Sequence, residues 1–222
     1  MRAMIRFGKK PRLRFISHLD LQRFLMRALN RTCLPIAFSQ GFNPHPVMSF
    51  GSALALGWTS EYEILDIKLN VPMGRKRVEE AMRAALPEDL PVLEVRLVDD
   101  KHTAPMAQTC ASDYEIELSG DSAEATLTAA ETFLSAEKVM AIRKTKSGEK
   151  EIDIRPLALL LERRENTLLA RLSLTEIDTL KPDLLVETLA KLAGAEMPRM
   201  RIHRKCLLGA DESGALRPLM EL

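Results

Sequence analysis

The chain has 222 residues, 46% of them apolar, and a net charge of +1. That is enough for one large domain or two small ones, and it excludes a disordered polyelectrolyte. The longest apolar run, "PLALLL" at 156–161, falls far short of the roughly 20 residues a membrane-spanning helix needs, so no membrane partner is expected. The basic N-terminus lacks the apolar core of a signal peptide. Cys33, Cys110 and Cys206 are too scattered for a disulfide framework or a paired metal site. The expected compartment is reducing and cytoplasmic, with no metal and no cofactor.

In chain order, "MIRFGKKPRLRFI" reads as two short extended pieces around a turn at Gly8 to Pro11. "SHLDLQRFLMRALNRT" follows as a helix. Ser17 can cap it and Asp20 can complete a capping box. Leu21, Phe24, Leu25, Ala28 and Leu29 repeat at helical spacing as an apolar face. Arg23, Arg27 and Arg31, four apart, form a basic stripe on another face. "PIAFSQGFNPHPVMSFG" is an interrupted strand or hairpin, "EYEILDIKLN" a strand, "RKRVEEAMRAAL" a helix and "LPVLEVRLV" a strand. The order is β-α-β-β-α-β, the ferredoxin-like, split βαβ arrangement.

"DDKHTAPMAQTCAS" at 99–112 has no clear periodicity and reads as a linker. The order then repeats. "DYEIELSG" is a strand and "SAEATLTAAETFLSA" a helix. Residues 138–175 hold two or three strands with a hairpin at Ser147-Gly148. "KPDLLVETLAKLAG" is a helix with proline in its first turn and Gly194 at its stop, and "MPRMRIHRKCLL" is the last strand. The expected fold class is α+β: two tandem ferredoxin-like units with antiparallel sheets. A basic N-terminal unit spans 1–98, the linker 99–112 and a second unit 113–222. One larger antiparallel sheet with helices on one face is the alternative.

Charge is unevenly spread. Residues 1–60 hold nine Lys or Arg (Arg2, Arg6, Lys9, Lys10, Arg12, Arg14, Arg23, Arg27, Arg31) against Asp20 alone, a net of +8 that leaves −7 for the remainder. Such a segment either faces a polyanion or pairs with the acidic remainder. Beside it, "SQGFNPHPVMSFG" at 39–51 carries two glycines and two prolines, which ordinary strands avoid. As an edge strand, it would be broken by a tight loop and blunted by its prolines. As a recognition loop, Gln40, Gly41, Phe42, Asn43 and His45 would meet a ligand on a frame stiffened by Pro44 and Pro46. Phe38, Phe42 and Phe50 would offer stacking faces for single-stranded nucleic acid. As a catalytic loop, His45 would act with His18 as base and acid. His18, His45, His102 and His203 show no metal-ligand spacing, and there is no P-loop, GxGxxG, GxSxG or HExxH. His102, in the linker, is expected to be solvated.

"SHLDL", "LP-IAFSQGFNPHP" and "SFG-AL-LG" together resemble the radical SAM-linked protein family, a bacterial domain of unknown function. Val47 departs from the basic residue expected at its position. The resemblance implies a radical SAM protein as partner. Three scattered cysteines cannot hold an iron–sulfur cluster, so that chemistry would belong to the partner. The expected function is a non-catalytic, RNA-binding or substrate-presenting accessory protein. Arg12, Arg14, Arg23, Arg27 and Arg31 would touch phosphate, and Gln40, Gly41, Phe42, Asn43 and His45 the target. A metal-independent RNA-processing enzyme using His45 and His18 is the alternative. A protein adaptor that touches no nucleic acid is the third reading.

Overall fold

A computed structural model describes residues 1–145 and 148–222, so Ser147 of the expected hairpin lies outside the described residues. The chain is mixed α+β with largely antiparallel pairing, and it divides into two units. The first comprises Met1–Thr109 and Cys206–Leu222, the second Cys110–Lys205.

In the first unit, β1 (Arg2–Lys9) is followed by α1 (His18–Arg31), β2 (Met48–Phe50), β3 (Thr59–Lys68), α2 (Arg75–Ala85) and β4 (Val92–Val98). β1 lies between β4 and β3, antiparallel to both, and β2 pairs with the other edge of β3. The strand order is β4-β1-β3-β2. β1 runs through Gly8, where a turn was expected, and a register shift between Phe7 and Lys9 absorbs the irregularity. Both helices bury the faces their spacing dictates. Leu21, Leu25, Ala28 and Leu29 of α1 and Val78 and Met82 of α2 pack on Ile5, Phe7, Leu65 and Ile67.

The expected linker is structured. It holds α3 (Pro105–Gln108) and the start of β5 (Thr109–Ser119), and Thr109 Oγ1 donates to the Gly51 carbonyl at 3.0 Å. The unit boundaries therefore differ from those read in sequence. β10 (Arg199–Ala210) leaves the second unit at Lys205, and its last residues, with β11 (Leu216–Pro218), belong to the first. Leu207, Leu208 and Leu219 are buried, and a Cβ at Gly209 would sit 2.7 Å from the Gln108 carbonyl oxygen. Only glycine fits there. Arg96 donates to the carbonyls of Met220 and Leu222, both at 3.0 Å.

The second unit contains β5, α4 (Ala123–Ser135), β6 (Met140–Thr145), β7 (Gly148–Asp153), β8 (Ala158–Arg164), β9 (Thr167–Ser173), α5 (Pro182–Leu192) and the first part of β10. β6 and β7 make a two-stranded sheet of their own, and the others run β10-β5-β9-β8. With the β6–β7 hairpin set aside, element order and strand order repeat those of the first unit.

Charged groups inside the first unit are matched. Asp66 on β3 accepts from Arg2 through both carboxylate oxygens, with Nε to Oδ2 at 3.0 Å. Lys9 is only 2% exposed, and its ammonium donates to the carbonyls of Ile16 (2.8 Å) and Arg14 (3.3 Å). Burial pushes its pKa down, and the charge of Glu63 partly offsets this. The ammonium thus fixes the connection that precedes α1. Lys9→Met strands the Ile16 carbonyl, while the Arg14 carbonyl keeps Gly57 N, and is expected to lower the unfolding free energy by about 1–3 kcal/mol, the cost of an unsatisfied buried polar group. Urea denaturation measures it, and an unchanged midpoint would show that the ammonium is dispensable.

Candidate functional site

Residues 36–47 form a hairpin on the end of β3. Ile36 bridges Leu69, and Ala37 N donates to the Lys68 carbonyl at 2.8 Å. Lys68 N donates to Val47 O at 3.1 Å, and Val47 N to Ala37 O at 2.8 Å. Phe38 bridges Pro46, and Ser39 N donates to His45 O at 2.9 Å. The edge-strand reading holds for residues 48–50, which pair with β3 as β2. The glycine- and proline-rich part ahead of it is a separate projection. Pro46 sits at an isolated bridge, where its missing N–H costs no ladder bond. Gly41, at φ +124°, turns the chain through a conformation that other residues rarely adopt.

The base of the hairpin is buried at Ile36 and Ala37, while Gln40, Gly41, Phe42, Asn43, Pro44 and His45 are exposed. Phe42 is as exposed as a side chain can be, at 112%. The tip is nonetheless held. His45 N donates to Ser39 Oγ at 3.1 Å, and His45 Nδ1 lies 2.9 Å from that oxygen and 3.3 Å from the Asn43 carbonyl.

Chain position links the basic helix to this hairpin. Ser17 Oγ accepts from Asp20 N at 3.2 Å and donates to the Asp20 carboxylate at 2.7 Å, which closes the first turn of α1. The other end of α1, at Arg31, is followed by Thr32–Leu34 and then by the hairpin. Arg23, Arg27 and Arg31 are exposed on the face away from the core.

Tertiary pairing dismantles much of the +8 count. Arg2 meets Asp66, Arg6 meets Glu94 at 3.2 Å, and Lys10 meets Glu88 at 3.4 Å. Arg12 meets Asp89 at 3.7 Å, and Arg23 meets Asp20, already counted in the +8, at 3.2 Å within α1. Lys9 is buried. Among the described residues, Arg14, Arg27 and Arg31 are the members of the nine with neither a carboxylate within salt-bridge distance nor a buried head. Arg14 instead lies over the Phe15 ring, 4.4 Å from its centroid.

The histidines separate. His18 opens α1 with its ring edge-on to Phe50, centroids 4.8 Å apart. His45 is engaged by Ser39 and Asn43, so the structure does not join the two rings as an acid–base pair. His102 is not solvated as expected, because its Nε2 is buried without a partner. Burial, then the charges of Arg96 and Arg2, hold its pKa below the ordinary imidazole value against the pull of Asp66 and Asp99. No group of three or more His, Cys, Asp or Glu among the described residues is placed to hold a metal ion. No helix among them is long and apolar enough to cross a membrane.

Sequence reasoning missed two features. One is the Ser39 hydroxyl that ties the tip. The other is a group of exposed apolar residues, Phe15 (69%), Leu19 (62%) and Leu56 (60%). Gly57 N donates to the Arg14 carbonyl at 2.8 Å, which brings the two segments together. The available signal was that Leu19 lies outside the apolar register of α1.

The chain belongs to the family described as "Uncharacterized protein conserved in bacteria (DUF2344)", whose model matches residues 2–182. No protein with a curated description matches. Among solved structures, the chain is similar to one from "Crystal Structure of a Cbf5-Nop10-Gar1 Complex", at 11% identity and a TM-score of 0.46. That match covers 91% of this chain and 47% of the other, so the chain spans about half the length of the protein it resembles.

Two outcomes follow from this geometry. Ser39→Ala removes the oxygen that both His45 groups approach. Amide exchange at residues 40–45 should quicken, while global stability changes by no more than about 0.5 kcal/mol, as for other surface changes. For His102, the folded pKa lies below the unfolded one, so the unfolded chain takes up the proton first. Stability should therefore fall between about pH 7.5 and about pH 5.5, and His102→Gln should flatten that slope in denaturation at the two pH values.

Proposed function

We propose that this member of an uncharacterized bacterial family is a non-catalytic protein that holds an unpaired stretch of RNA for a partner enzyme. The observation that carries the proposal is the tip of the 36–47 hairpin. It keeps Phe42 wholly exposed on a hydrogen-bonded frame, close in the chain to Arg31. An exposed aromatic ring stacks bases regardless of sequence, and nearby guanidinium groups take phosphate. Arg27 and Arg31, with no carboxylate within salt-bridge distance among the described residues, are the phosphate contacts nearest to it in the chain, and Arg14 over Phe15 supplies a second stacking unit. Both units read as ferredoxin-like, which the repeated β-α-β-β-α-β order and 4-1-3-2 strand order support. The resemblance of "SHLDL" and "IAFSQGFNPHP" to radical SAM-linked proteins points to a radical SAM enzyme as the partner. The protein itself has the role of presentation, since His18 packs on Phe50 and His45 is tied to Ser39 and Asn43, which leaves no acid–base pair.

A second reading, a protein adaptor, is favoured by the exposed Phe15, Leu19 and Leu56, because large apolar side chains left in solvent are what a protein partner would cover.

The test is binding of unpaired RNA across a salt series by wild type and by Arg27→Ala/Arg31→Ala. Each phosphate contact contributes about 0.7 to the log–log salt slope on single strands. The double variant should bind more weakly, with a slope shallower by about 1 to 2. Affinity that stays constant across severalfold changes in salt would overturn the proposal and leave the adaptor reading in front.

A further inference from the structure

The contacts at the hairpin tip also bear on which tautomer His45 adopts, and the Asn43 carbonyl is the partner that discriminates. The Asn43 carbonyl only accepts. Of the two neutral imidazole tautomers, the one protonated at Nδ1 suits both the Asn43 oxygen at 3.3 Å and the Ser39 oxygen at 2.9 Å. Ser39 Oγ then accepts from the Nδ1–H and from the His45 backbone N–H. Nε2 is left carrying a lone pair on an exposed ring, and among the described residues no partner reaches it.

Phe42 stands three residues earlier, its ring fully exposed. Gly41 precedes it with open space where a Cβ would be, so a ligand can approach the backbone there. The tip therefore joins a stacking face to one outward hydrogen-bond acceptor.

We propose that the tip is a ribose-selective seat for one unpaired nucleotide. The base lies on the Phe42 ring, and the ribose 2′-hydroxyl donates to His45 Nε2. This rests on the RNA-holding reading and deepens it. Stacking accepts any base, whereas the 2′-hydroxyl is the donor that every ribonucleotide carries and no deoxynucleotide has. An acceptor at Nε2 thus separates RNA from DNA without reading sequence. Asn43 and Ser39 act as positioning residues, because they hold the ring in the tautomer that leaves the lone pair outward.

The experiment compares the full-length protein binding an oligouridylate and the matching oligodeoxyuridylate, followed by fluorescence anisotropy. Uracil has no exocyclic amine, and its one N–H is common to both strands, so the pair isolates the sugar hydroxyl. Wild type should prefer the ribose strand by about three- to tenfold, the worth of one hydrogen bond. His45→Asn keeps an N–H able to reach the Asn43 carbonyl but lacks Nε2. It should bring the ratio to about one by weakening the ribose strand alone, with deoxyribose binding as the control for an intact tip. Phe42→Ala should weaken both strands alike. Equal binding of the two strands by wild type would overturn this inference while leaving the RNA-holding reading intact, as would a ratio that survives His45→Asn. Binding of neither strand by wild type would overturn both.

Discussion

β3 is the constraint on which the first unit depends. Residues Tyr62 to Ile67 are all buried, two of them acidic, and a buried strand must have both edges paired and every charge answered. One edge is filled along its length by β1. The other is filled piecemeal, by β2, by Gly51 N donating to the Ile64 carbonyl at 3.0 Å, and by the returning end of β10. The charges are answered the same way, with Arg2 on Asp66 and the Lys9 ammonium in the field of Glu63. Tyr62 adds a third tie, its hydroxyl oxygen accepting from Met220 N at 3.1 Å. Burial, the leading influence on that phenol, holds its pKa well above the ordinary value, so it stays neutral. The candidate hairpin is a product of this demand. The end of β3 needs partners at Lys68 and Leu69, and the chain that supplies them must turn back within a few residues.

The same demand decides where positive charge remains available. Arg2 and Lys9 are spent inside the unit, and Arg6 lies against Tyr62 and Glu94. What stays open to solvent is the outer face of α1, since a helix packed through one stripe must show its other face to water. The surface pair of Arg23 with Asp20 is worth little, because exposed ion pairs gain only about 0–1 kcal/mol, and it does not withdraw the guanidinium from a stronger anion.

Local patterns carried much of this into the sequence. The spacing of Leu21, Leu25, Ala28 and Leu29, the Ser17 cap and the alternation in "EYEILDIKLN" are period-dependent signals, and each names its element without knowledge of the rest. The unit boundary was not legible because it depends on distant contacts: nothing in "HRKCLLGA" shows that the strand leaves one unit at Lys205 and that Gly209 must clear the Gln108 carbonyl. His102 misled for the same reason. A histidine in a polar, aperiodic stretch looks solvated, and only the fold reveals that β1 and β4 bring Arg2 and Arg96 to it. Charge along the chain was the weakest guide, since summing residues 1–60 ignores the acids that β3, β4 and the loop before β4 bring to them.

The energetics of the tip set recognition apart from packing. Burying a phenylalanine gains about 1.5–3 kcal/mol, and Phe50, eight residues on, is buried. Phe42 gains none of this in the isolated chain, although the turn that carries it is tied at Ser39, His45 and Asn43 and is not free to fold the ring back. A loose loop with an exposed ring would lose side-chain and backbone entropy on meeting a ligand. A tied one has lost much of that already on folding, so more of the contact energy appears as affinity. Gly41, Pro44 and Pro46 work to the same end, one permitting the turn and two narrowing its alternatives. A segment that looks like a poor strand in sequence is, on this argument, a rigid mount that holds one aromatic ring away from the core of its own chain.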